Sequence, residues 1–83
     1  MWYELWDSAT GNRVGEYDTK EAALRAVVED ILRYGRDSEA MMHLGLLRCD
    51  PKGEHDGLIA EGARLASMAL ARTKAVAQRS KLP

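Results

Sequence analysis

Residues 17–35 read YDTKEAALRAVVEDILRYG, and this stretch decides the fold. Asp18 and Thr19 are both good N-cap residues, and Asp18 with Glu21 has capping-box spacing. Leu24, Val27, Val28, Ile31 and Leu32 then recur at i, i+3, i+4, i+7 and i+8, the stripe of an amphipathic helix. Gly35 is placed to end it, because glycine accepts the left-handed conformation just past a helix C-terminus. Such a helix must bury its stripe against another layer. The segments on either side read as strands, so that layer is a sheet.

Upstream, Tyr3 and Leu5 alternate with Trp2, Glu4 and Trp6, which is the period of a strand. Asp7-Ser8-Ala9-Thr10-Gly11-Asn12 is turn chemistry throughout, and Arg13–Tyr17 is a second short strand. The short loop predicts an antiparallel hairpin. Downstream, Arg36–Ala40 reads as a connection and Met41–Cys49 as a third strand. Asp50-Pro51-Lys52-Gly53, extended by Glu54–Gly57, is a turn, and Leu58–Ala60 a fourth strand. Gly62 then breaks into a helix over Ala63–Gln78, rich in alanine, leucine and arginine. The expected fold is α+β in the order ββαββα: a four-stranded, mainly antiparallel sheet, a helix on one face, and a basic C-terminal helix that either packs on the sheet or projects. Residues 1–62 form the body and 63–83 the C-terminal helix and tail of one domain.

The chain has 83 residues, which is one domain and a small core. Homodimerisation is the expected way to add buried surface. One cysteine, Cys49, allows no intrachain disulfide and fits a reducing compartment. The start at Met1-Trp2-Tyr3-Glu4 has no leader pattern, and Pro83 follows the peroxisome-like Ser80-Lys81-Leu82. No apolar run approaches the length of a membrane span. A cytoplasmic location is expected, with no membrane partner.

The net charge of −1 hides an asymmetry. Residues 1–61 carry all 13 acids against seven Lys/Arg, while Arg64, Arg72, Lys74, Arg79 and Lys81 stand in an acid-free tail. At 100° per residue, Leu65, Ala66, Ala69, Leu70, Thr73, Val76 and Ala77 share one arc and the five cations lie outside it. That basic face is either a phosphate-binding surface or a solvated face that complements the acidic body. Trp2 and Trp6 share one side of the first strand and are candidates for core, for a protein interface, or for stacking on bases. His43, Cys49 and His55 lack the ligand spacing of a zinc site, and no nucleophile signature surrounds Cys49. Pro51 and Lys52 interrupt a calcium-loop pattern among Asp50, Glu54 and Asp56. No cofactor, metal or catalytic residue is expected.

The segments Tyr3-Glu4-Leu5-Trp6-Asp7, Thr10-Gly11-Asn12, Tyr17-Asp18-Thr19 and Glu21-Ala22-Ala23-Leu24 resemble a group of small uncharacterised bacterial proteins over about the first 35 residues. That resemblance implies a hairpin and a capped helix, and no activity. The hairpin–helix–strand order is also loosely similar to the partial RNase-H-like fold of HicB-type antitoxins. The Pro-Asp-Leu-Pro-Gly-type segment of that family and a following DNA-binding domain are both missing. The leading expectation is a non-enzymatic interaction or regulatory protein, antitoxin-like or accessory, that binds a protein partner. The alternative is a nucleic-acid-binding module working through the basic helix.

Overall fold

In the computed structural model, residues 1–52 and 55–80 are described, apart from the side chains of 55, 56 and 73–80. The elements are β1 (Trp2–Asp7), β2 (Asn12–Tyr17), α1 (Lys20–Tyr34), α2 (Glu39–Met42), β3 (Leu44–Cys49), β4 (His55–Glu61) and α3 (Gly62–Ser80). The strands form one antiparallel sheet in the order β2-β1-β3-β4. This is the α+β fold expected from the sequence.

Local chemistry explains most of the boundaries. Asp7 closes the first hairpin turn: its carboxylate accepts from the Ala9 amide at 2.9 Å and the Thr10 hydroxyl at 3.1 Å. Thr19 caps α1 by accepting from the Ala22 amide, and Gly35 ends it at φ 95°. Packing then fixes the layers. Leu5, Leu44, Leu46 and Ala60 of the sheet share one core with Ala23, Leu24 and Val27 of α1, Met41 of α2, and Leu65, Ala66 and Ala69 of α3. All three helices therefore cover the same face of the sheet, and α3 packs on the body rather than projecting from it over its described contacts.

Three boundaries depart from the sequence reading. Ser38 caps a one-turn helix, accepting from the Met41 amide at 3.2 Å. This turn drops Met41 into the core, so β3 begins at Leu44 rather than at Met41. β4 runs over His55–Glu61 rather than only Leu58–Ala60, because its ladder with β3 reaches back to the Cys49–His55 pair through two register shifts. Gly62 starts α3 instead of breaking before it. Its φ is 58°, and a Cβ there would lie 3.0 Å from the Met42 carbonyl oxygen, a position only glycine fits without strain.

Candidate functional site

With Tyr3 and Leu5 turned toward the helices, strand alternation puts Trp2, Glu4 and Trp6 on the other face of the sheet. The register carries that face across the neighbours. Trp6 stands opposite Gly45 on β3 and Arg13 on β2; Glu4 stands opposite Leu47 and Glu16; Trp2 stands opposite Cys49. On β4, Glu61 pairs with Gly45 and Leu58 with Leu47. No helix among the described residues covers this face.

Glu4 organises it. Its two carboxylate oxygens accept one indole N–H each, from Trp2 at 2.9 Å and from Trp6 at 2.8 Å. The Arg13 guanidinium lies 3.6 Å from the same carboxylate and 3.4 Å from that of Glu16. Glu4 is only 5 % exposed, although it lies on the side of the sheet away from the core. The two indoles lean inward over it, and their half-buried rings form a fixed platform. Such a buried carboxylate needs its partners, since a desolvated charge without them is costly. Here the partners are the large side chains of the surface itself, so the charge fixes the rings in place.

Cys49 is fully buried beside this cluster. Burial first, then the neighbouring Glu4 carboxylate, which accepts the thiol hydrogen, push its pKa above the usual 9.0. Thiolate chemistry at neutral pH is suppressed by both causes. Because the unfolded chain ionises this thiol first, stability is full below about pH 9 and falls as the pH rises toward the folded value. Tyr17, raised above 10.0 mainly by burial, adds to that alkaline loss. Native chain treated with a thiol reagent near neutral pH should react at least about a hundredfold more slowly than denatured chain, since reaction must wait for opening. Immediate labelling would mean the indole platform leaves Cys49 accessible.

The other expected site residues are less gathered. Arg64 and Arg72 are exposed, but Arg72 Nη2 is bonded to Glu21 Oε1 of α1, so one cation of the basic face already has an acid beside it. The side chains of Lys74 and Arg79, and all of Lys81, lie outside the described residues, as do the side chain of His55, the whole of Glu54 and the side chain of Asp56. Among the described residues, no group of three His, Cys, Asp or Glu stands close enough to hold a metal ion. No described helix is long and apolar enough to cross a membrane.

A cleft of about 360 Å³ lies where the end of α1 and α2 meet the first hairpin, lined by Asp7, Val14, Asp30, Arg33, Tyr34 and Met41 among others. The Asp7 carboxylate there is spent on its own turn. Burial raises the Asp30 pKa against the pull of Arg33. Comparison with family models, curated proteins and solved structures gives no match to this chain.

The sequence reading named Trp2 and Trp6 and missed Glu4. The signal was present in Trp2-x-Glu4-x-Trp6: alternation puts a carboxylate between two indole donors on one strand face.

Proposed function

We propose that this chain is a non-enzymatic interaction module that docks a protein partner on the open face of its sheet, using Trp2, Trp6, Leu47 and Leu58. The observation that carries this reading is the Trp2–Glu4–Trp6 cluster: large amphipathic rings held in fixed rotamers on the face that no described helix covers. Rigid tryptophans favour binding because little side-chain entropy remains to be lost, and they are enriched at the anchor points of protein interfaces. Leu58, on the same face, is 55 % exposed and extends the apolar surface toward the β4 edge. The reading in which the basic helix binds nucleic acid is weakened by the Arg72–Glu21 pair, which directs one of its cations to the body.

Affinity capture with full-length tagged chain tests the reading, offering both cell extract and a differently tagged copy of the chain. Leu58→Arg, folded by circular dichroism, should lose the captured protein, while Arg64→Glu should keep it. Binding that survives Leu58→Arg and is lost in Arg64→Glu, or captured nucleic acid in place of protein, would overturn the reading in favour of the basic helix.

A further inference from the structure

The cleft at the end of α1 combines an apolar interior with one unpaired carboxylate. Its floor is Met41 and Leu44, both buried. Its walls are Val14 of β2 and Tyr34 of α1, each more than half exposed. Val14 stands there because β2 carries a bulge. A regular ladder continuing from Leu5 and Gly15 would pair Val14 with Trp6 and set it on the open face. The register shift gives that place to Arg13 and leaves Val14 as the extra residue, turned into the cleft wall. Met41 is supplied by α2, the one-turn helix that Ser38 caps. Two local departures from regular structure thus shape the same cavity.

The carboxylate is that of Asp30. With Arg33 and Tyr34 it has i, i+3, i+4 spacing, so the three share one side of α1. Among the described residues Asp30 takes part in no ion pair and no hydrogen bond. The Arg33 guanidinium lies over the Tyr34 ring instead, 6.0 Å from its centroid. Burial accordingly outweighs the pull of Arg33 and holds the Asp30 pKa above 3.8. Glu29 adds its repulsion from the same helix, and Tyr17 of β2 is near as a neutral phenol. Asp7, the other acid of the cleft, gives its oxygens to Ala9 and Thr10. A carboxylate that has lost water and gained no partner is stabilised by a cation. One carboxylate is too few ligands for a metal ion, whereas an ammonium is well held by one carboxylate and an aromatic ring. The rest of the guest must match Val14, Met41 and Leu44, so it is apolar.

We propose that this cleft is a second binding site, for a small amphipathic amine, with the ammonium on Asp30 and the apolar body against Tyr34, Val14 and Met41. The site lies on the helix side of the sheet, away from Trp2 and Trp6, so it is independent of the docking face. Its volume of about 360 Å³ is at the lower end for small-molecule sites and suits a guest the size of an arylalkylamine. The cation binds the ionised acid, so affinity is full at neutral pH and is lost as the pH falls through the Asp30 pKa. Because burial raises that pKa, the loss comes at a higher pH than an ordinary aspartate would give. Asp7 and Glu29 also titrate as the pH falls, and replacing Asp30 separates their effect from its own.

Titration of the isotope-labelled full chain with phenethylamine, followed by its amide and indole N–H nuclear magnetic resonance signals, tests this. At neutral pH the amides of Val14, Asp30, Tyr34 and Met41 should shift together. The dissociation constant should be about 1 mM, in the range open to a ligand of about nine non-hydrogen atoms. The indole N–H signals of Trp2 and Trp6 should stay in place. Phenylacetate, of similar size and opposite charge, should bind at least about tenfold more weakly. Asp30→Asn, with its circular dichroism unchanged, should lose at least about tenfold in amine affinity and most of its pH dependence. Tyr34→Ala should weaken the amine about threefold. The proposal is overturned if no cleft amide shifts at about ten times the expected constant, or if phenylacetate binds as well as the amine. It is equally overturned by an Asp30→Asn or Tyr34→Ala chain that binds the amine as the wild type does. Movement of the indole signals in place of the cleft amides would put the cation on the tryptophan face and also sink it. Should Asp30→Asn fold poorly, phenylacetate and Tyr34→Ala still decide.

Discussion

Leu65→Ala should remove roughly 3–4 kcal/mol of folding stability, the largest loss expected of any single truncation among the described side chains of α3. Among the described residues, α3 contributes three buried side chains to the core, Leu65, Ala66 and Ala69, and only the first is large. The small stripe allows close approach to α1 and the sheet, but it buries little area. Leu65 is therefore the one large, fully buried anchor among the described side chains of α3, with the half-buried Met68 packed beside the core, and its truncation leaves a cavity the alanines cannot fill. For 83 residues the total stability is expected at about 4–12 kcal/mol, so the variant loses roughly a quarter or more of it. The urea midpoint should fall by about 2 M or more, taking a slope of roughly 1–1.5 kcal/mol/M. Leu32→Ala is the control: Leu32 is 81 % exposed at the end of the α1 stripe, and its truncation should change the midpoint little. If Leu65→Ala unfolds like the control, α3 is not part of the cooperative unit.

The outcome at Leu32 illustrates what the sequence could specify. The α1 stripe was legible because its period and cap are local, yet Leu32 shares the period and is not covered: whether the stripe meets the sheet along its whole length depends on where the sheet ends. The alternation in β1 was equally legible, and it put Trp2 and Trp6 on one side and Tyr3 and Leu5 on the other. Which side meets α1 was not legible, since both sets are apolar enough to be core. The answer depends on Leu24 and Val27, which pack with Leu5 across the interior. The Arg72–Glu21 pair was hidden for the same reason, its partners being 51 residues apart in the chain. At Met41 the difficulty was local competition. Ser38 and Glu39 carry a helix-start signal, but the apolar run that follows also suits a strand, and the depth of Met41 in the core settles it. Each of these cases turns on the third dimension, where the strand or helix period alone leaves two faces equivalent.

Glu4→Gln is expected to cost about 1–3 kcal/mol, a smaller loss than at Leu65 but one that acts on the docking surface itself. The native carboxylate has only acceptor oxygens, and each takes one indole N–H. An amide offers one oxygen and one NH₂, so one of the two indoles must face a donor. That ring loses its hydrogen bond or rotates away, and Arg13 loses the Glu4 charge while the Glu16 carboxylate stays 3.4 Å from it. Because Trp2 and Trp6 are half-buried and can reach water, the cost stays below that of stranding a wholly buried donor. The fluorescence should report the ring directly: the only two tryptophans of the chain are the two held by Glu4, so emission should shift to the red and its anisotropy decay gain a fast component. Rigidity and stability then separate. A Glu4→Gln chain that is still folded should bind its partner more weakly than its loss of stability explains, because a rotating ring must be ordered again on docking. Unchanged emission together with wild-type binding would show that the carboxylate does not position the indoles, and the open face would lose the preorganisation on which its role as a docking surface depends.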